Sequence, residues 1–159
     1  MSTLAIRPAP IRKTLLVKAD QAKTFATFAS SMGRWWPREH SIIGTSPQVD
    51  VIIEPRVGGR WYELGEDGSQ CDWGRVLAWE PPGRLVLTWQ LGSDWRYDPA
   101  LVTEIELIFT ALGPNRTQVQ LEHRNLERYG DAAQIMKAAL DSTDGWDGTL
   151  LLFVAAAEG

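Results

Sequence analysis

Residues 102–124 read VTEIELIFTALGPNRTQVQLEHR. Their strict two-residue alternation decides the fold. Over 102–109, Thr103, Ile105, Leu107 and Phe109 share one face, while Val102, Glu104, Glu106 and Ile108 share the other. Gly113, Pro114 and Asn115 turn the chain. Over 117–124, Thr117, Val119, Leu121 and His123 alternate with Gln118, Gln120, Glu122 and Arg124. One apolar and one polar face define a half-buried antiparallel hairpin. Glu104 and Glu106 are therefore expected to be solvated. His123 falls on the apolar side.

Working outward, the same texture extends upstream. Runs at 49–55, 59–65, 71–80 and 84–91 are separated by turn signals, among them Gly65-Glu66-Asp67-Gly68 and Pro81-Pro82-Gly83. They predict an antiparallel meander. Residues 11–18 predict a further strand, with Ile11, Lys13, Leu15 and Val17 on one face. Asp20 is placed to cap a helix whose apolar stripe is Ala22, Phe25, Ala26, Ala29 and Met32, widened by Phe28, with Gly33 at its end. Trp35 and Trp36 fall just beyond it. Residues 1–9 are expected to be loose, with Pro8 near their end.

Downstream, 131–142 and 145–158 predict helices. The latter starts near Asp144 and carries Trp146, Leu150, Phe153 and Ala157 at helical spacing. Leu151, Leu152 and Val154 make it apolar nearly all round, so burial on several sides is expected. The order predicts an α+β, helix-grip fold: a curved antiparallel β-sheet wrapped around a C-terminal α-helix, with room for an internal cavity between them.

Composition bounds the function. The chain of 159 residues fits one domain over 1–159, with an ordered core expected over about 10–157. A net charge of -4 gives no basic footprint for nucleic acid or an anionic membrane. The run at 150–157 is far shorter than the ~20 residues a membrane span needs. Arg7, Arg12 and Lys13 interrupt any apolar leader, and the single Cys71 suits a reducing, cytoplasmic compartment. His40 and His123 are the only histidines, and no zinc spacing, phosphate loop or nucleophile motif is present, so neither metal nor cofactor is expected. Eight tryptophans are the compositional oddity, and indoles suit cavity walls as well as cores.

The segment GGRWYELGEDGSQCDWGRVLAWEPPGRLVLTW (58–89) resembles the signature of the activator-of-Hsp90-ATPase-homologue-1-like domains. These belong to the START/Bet v 1-like, polyketide-cyclase-related SRPBCC superfamily. The matching features are Gly58-Gly59, Asp67-Gly68, Gly74 with Val76, Pro81-Pro82, and Leu85 followed by Thr88-Trp89. His123 and then Gly145-Trp146 with Leu150 match the closing pattern. The resemblance spans about 10–157 and implies the helix-grip fold. Folds of this class host carriers, cyclases and regulators alike, so it does not fix an activity. The eukaryotic Hsp90 activity also involves a separate N-terminal domain.

The candidate site residues are Trp35, Trp36, Trp61, Glu63, Arg75, Trp89, His123 and Trp146. His123 is either a ligand or proton-exchange group or a structural imidazole. Trp35 and Trp36 either both pack in the core or divide, one in the core and one at the cavity, with Arg34, Arg38 and His40 as a wet rim. Glu63 shares a face with Trp61. Either it points inward and pairs with Arg75, or both charges lie outside in water. Cys71 has no activating neighbour. Three functions compete: a non-enzymatic module holding a small, mainly apolar molecule; a cyclase or hydrolase using His123 as acid and base; and a domain that binds Hsp90, another protein or a second copy.

Overall fold

The computed structural model describes residues 8–159, so residues 1–7 of the stretch expected to be loose lie outside it. Strand β1 (Ile11–Val17) leads into helix α1 (Gln21–Ser30). Strands β2 (Gln48–Ile53), β3 (Arg60–Gly65), β4 (Gln70–Glu80) and β5 (Arg84–Trp89) form the meander. Strands β6 (Thr103–Gly113) and β7 (Arg116–Arg124) form the hairpin, followed by α2 (Ala133–Leu140) and α3 (Gly148–Glu158). The seven strands make one antiparallel sheet in the order β1-β7-β6-β5-β4-β3-β2. It curls as a half-barrel around α3, the helix-grip arrangement expected. No helix of the described residues is long and apolar enough to cross a membrane.

The hairpin keeps its alternation. Ile105 pairs with His123, Leu107 with Leu121 and Phe109 with Val119, all buried. On the outer face Arg124 bridges Glu104 and Glu106, each at 3.0 Å. Arg84 reaches Glu106 at 2.7 Å. The two glutamates expected in water are thus half-buried members of a cross-strand ion network. Lys13, expected on an apolar face, stretches its amine to Asp141 and to Asp147 (2.8 Å), clasping β1 to the turn before α3.

Asp20 caps α1, accepting from the Lys23 amide at 2.7 Å. The buried stripe is rotated from the expected one: Thr24, Phe25, Thr27, Phe28 and Ala29 face inward, whereas Ala22 and Ala26 are exposed. The large rings set the roll of the helix, Phe25 packing 5.1 Å from Phe109 and Phe28 5.3 Å from Phe153. Burying the threonines is tolerable because their hydroxyls donate to the Asp20 and Lys23 carbonyls at 2.7 and 2.8 Å. Gly33 lies beyond the helix end in a 3-10 turn against β2. A Cβ there would stand 2.9 Å from the Val51 amide nitrogen.

Helix α3 is covered on one face. Thr149, Leu150, Phe153 and Ala157 are buried, while Leu151 and Leu152 are 68% and 44% exposed. This corrects the expectation of burial on several sides. The sheet and α1 grip the inner side, and among the described residues nothing packs over Leu151.

Glu63 is buried without a cation. Its Oε1 accepts from the Ile42 amide at 2.8 Å and from Trp73 Nε1 at 3.4 Å. Its Oε2 accepts from Ser41 Oγ at 2.8 Å and Gln48 Nε2 at 2.7 Å. Four donors replace the counter-ion and tie residues 41 and 42 to the sheet. The expected pair with Arg75 does not form, nor does the solvated alternative for Glu63. The cause is a β-bulge. Trp61 faces Gly74 and Tyr62 faces Asp72, so Trp73 is an extra residue. Trp73 and Gly74 are both buried, and Arg75 is turned out to Asp72 at 3.3 Å. Only glycine fits the position after Trp73, where a Cβ would lie 1.9 Å from the Thr88 carbonyl oxygen.

His123 is the other buried polar centre, 0% exposed. Trp146 Nε1 donates to its Nδ1 at 3.1 Å, which leaves the ring proton on Nε2. Nε2 donates to Thr103 Oγ1 at 2.8 Å, and that hydroxyl donates to the Trp89 carbonyl at 2.8 Å. Burial pushes the imidazole pKa down to about 3.

Both centres can be tested. Glu63→Gln places an amide donor against donors, and should cost about 2–4 kcal/mol in urea denaturation; a loss under about 0.5 kcal/mol would contradict the anchoring role. For His123, the folded pKa lies below the ordinary 6.5, so the unfolded chain takes up a proton that the folded chain refuses. Its contribution is intact above pH 6.5 and is lost as pH falls toward 3, by up to about 1.4 kcal/mol per pH unit. Stability measured from pH 7 to 5 should fall less steeply in His123→Gln than in the wild type; parallel slopes would refute the assignment.

A tryptophan-lined candidate ligand site

Between the inner sheet and the turn leading into α3 lies a cavity of about 450 Å³. Four indoles form its walls: Trp36, Trp73, Trp89 and Trp146. Trp36 follows the 3-10 turn after α1, Trp73 sits on the β4 bulge, Trp89 ends β5, and Trp146 lies in the π-turn Thr143–Asp147. Four separate elements therefore converge. Trp36 is their hub, with ring centroids 5.0 Å from Trp73, 6.0 Å from Trp146 and 6.4 Å from Trp89.

The walls are apolar, but not uniformly so. Leu91, Leu140 and Ile42 complete the greasy surface, whereas Glu39, His40, Ser41 and Asp144 supply polar groups. Ser41 and Ile42 are the residues held by Glu63, so a fully buried carboxylate fixes one side of the cavity without entering it. The Trp36 indole N–H is buried and has no acceptor among the described residues. The Trp89 N–H also lacks one at hydrogen-bond geometry, although it lies near the Tyr129 hydroxyl. Tyr129 donates to the Leu91 carbonyl at 2.7 Å, and burial pushes its pKa up, with Trp89 opposing.

Trp95 stands apart. It lines the cavity, yet it is 42% exposed. Its backbone is left-handed, with φ 60°, a conformation that costs a non-glycine residue about 1 kcal/mol.

Of the eight residues expected at a site, Trp36, Trp89 and Trp146 line the cavity. Trp35 lies in the core, donating to the Thr27 carbonyl at 2.8 Å and packing 5.3 Å from Phe153. Of the two readings of the Trp35–Trp36 pair, the divided one describes this arrangement. Trp61 is wholly buried, its N–H directed at Met32 Sδ at 3.3 Å. Arg75 is on the outer face. His123 lies behind Trp89 and Trp146, with ring centroids 5.7 and 6.1 Å away. His40 lines the cavity as a rim residue, whereas Arg38 is drawn to the Gln48 carbonyl. Trp73 and Thr149 also line the cavity, and the sequence did not single them out. The bulge hid Trp73, and Thr149 resembles any polar residue in the first turn of a helix. Cys71 lies outside the cavity, and burial, reinforced by the Glu63 and Asp72 charges, pushes its thiol up to about 11. Among the described residues no group of three or more His, Cys, Asp or Glu could hold a metal ion.

Comparison with known proteins bears on most of the chain. The model of the family described as "Activator of Hsp90 ATPase homolog 1-like protein" matches residues 18–156. Among solved structures, the anthrahydroquino-gamma-pyrone synthase Txn09 is 36% identical over 94% of this chain and 97% of its own, with a TM-score of 0.66. The self-sacrificing resistance protein CalC from Micromonospora echinospora is 30% identical over 94% of each chain, with a TM-score of 0.66. Protein MLL2253 from Mesorhizobium loti, 18% identical over 92% of this chain and 95% of its own, shares the fold with a TM-score of 0.66. No curated protein sequence matches. The family pattern runs from the end of β1 into α3 and takes in every wall of the cavity: the chain belongs to the activator of Hsp90 ATPase homolog 1-like family, within the SRPBCC/START-like superfamily.

Proposed function

We propose that this protein binds a planar, oxygen-bearing aromatic molecule in the tryptophan-lined cavity. The observation that carries the reading is the convergence of four indoles on a space of about 450 Å³, with polar residues on part of its wall. Indole faces interact best with flat π-systems. A volume in this range accepts a tricyclic or tetracyclic ligand. Glu39, His40, Ser41 and Asp144 would meet hydroxyl or carbonyl groups at its edge, and the unpaired Trp36 N–H offers a further donor. One solved relative supports this chemistry: Txn09 is named for making an anthrahydroquino-gamma-pyrone.

An enzymatic reading has one specific observation in its favour. His40 lines the cavity, where its ring can exchange a proton with a bound phenol. His123 offers no such route, since it is neutral down to about pH 3 and both ring nitrogens are engaged. The family name alone does not argue for an Hsp90 role, because function resides in the site rather than the fold.

The test is a titration with 1,8-dihydroxyanthraquinone, followed by tryptophan fluorescence, with decanoic acid as an aliphatic control. Saturable one-to-one quenching by the quinone and little response to decanoate are expected. Equal binding of both, or none, would defeat the reading. Thr149→Phe, which fills the cavity from α3, should weaken quinone binding at least about ten-fold while the circular dichroism spectrum stays unchanged.

A further inference from the structure

Trp95 combines three properties that no other tryptophan here shares. It is 42% exposed, it holds a left-handed backbone, and among the described residues its ring has no aromatic neighbour, although it borders the cavity. It sits at the tip of a tight hairpin between β5 and β6. Leu91 bridges Tyr97 across the hairpin. The Trp95 amide donates to the Gly92 carbonyl at 2.9 Å, the Gly92 amide donates to the Arg96 carbonyl at 2.9 Å, and the Asp94 carboxylate accepts from the Arg96 amide at 3.1 Å. This turn fixes the left-handed position, where glycine is the ordinary occupant. A bulky indole is strained and wetted there at once. Strain and exposure together mark a residue whose contacts are completed by something else.

The position of Trp95 tells what that is. The four buried indoles already face the cavity from within, and Trp95 borders the same space from the solvent side. We propose that Trp95 is the closing wall of the site: its ring stacks on the outer face of a planar ligand whose inner face lies on the buried indoles. It is then the residue that selects flat ring systems over saturated molecules of equal volume, because a puckered ligand cannot lie flush against an indole. The inference rests on the cavity being a ligand site for aromatic molecules. It adds the residue that sets shape selection and excludes water from one face.

The experiment is calorimetric titration of the wild type, Trp95→Phe, Trp95→Leu and Trp95→Gly with 1,8-dihydroxyanthraquinone. The glycine variant also relieves the backbone strain, and an unchanged circular dichroism spectrum and melting temperature in each variant separate loss of binding from misfolding. Wild-type binding with about ten-fold weaker binding in the leucine and glycine variants, and phenylalanine within about three-fold of wild type, is the expected result. Wild-type binding with all three variants unchanged would overturn the role of Trp95 and leave the cavity reading standing. No wild-type binding would remove the cavity reading and the closing wall together.

Discussion

Six indoles crowd the concave side of one sheet, and their packing governs the rest of the structure. Trp36 lies within 5.0–6.4 Å of Trp35, Trp61, Trp73, Trp89 and Trp146 by ring centroid. Their interplanar angles run from 40° to 89°, so the rings tilt against one another rather than stack flush. Offset and edge-to-face arrangements are the ones aromatic pairs prefer. The void lies beside this cluster, with Trp36, Trp73, Trp89 and Trp146 on its wall. Interiors otherwise close to crystal density, so an opening of this size is a property of the residues chosen to line it.

The polar groups behind this wall obey one rule with two outcomes. Glu63 can be buried as an acceptor because four donors meet its two oxygens. His123 remains neutral because one donor and one acceptor meet its two nitrogens, and burial opposes a further proton. Each is satisfied by its own neighbours and stands behind the cavity surface. The chemistry of the site is left to the wall itself and to residues 39–41 and 144.

Much of the architecture was legible because most strands carry a clean period of two. The β6–β7 hairpin was readable to the residue, since no bulge interrupts the inward face from Thr103 to Phe109. Strand β4 was not. A single extra residue at Trp73 reverses the faces beyond it, which is why alternation pairs Arg75 with Glu63 while the fold pairs it with Asp72. The site was half legible: tryptophans announce a cavity wall, but which of them line it depends on bulges, on a π-turn and on the roll of α1. Those are tertiary decisions made by Phe25 and Phe28 and by close approaches at Gly33 and Gly74. The outer side of α3 shows the same limit. Leu151 and Leu152 are core residues by composition, and only the one-sided grip of the sheet leaves them outside.

The pairing of β1 with β7 carries a further consequence, for the order of assembly. Ile11 lies opposite His123, and Lys13 is clasped to Asp141 and Asp147, so the first strand completes its contacts with chain more than a hundred residues away. Such non-local closure gives a high contact order and slow folding. On the ribosome β1 must wait, unpaired along its length, until β7 has emerged. The sheet gains its β1 edge only once both ends of the described chain have met, and no half of the domain can complete it.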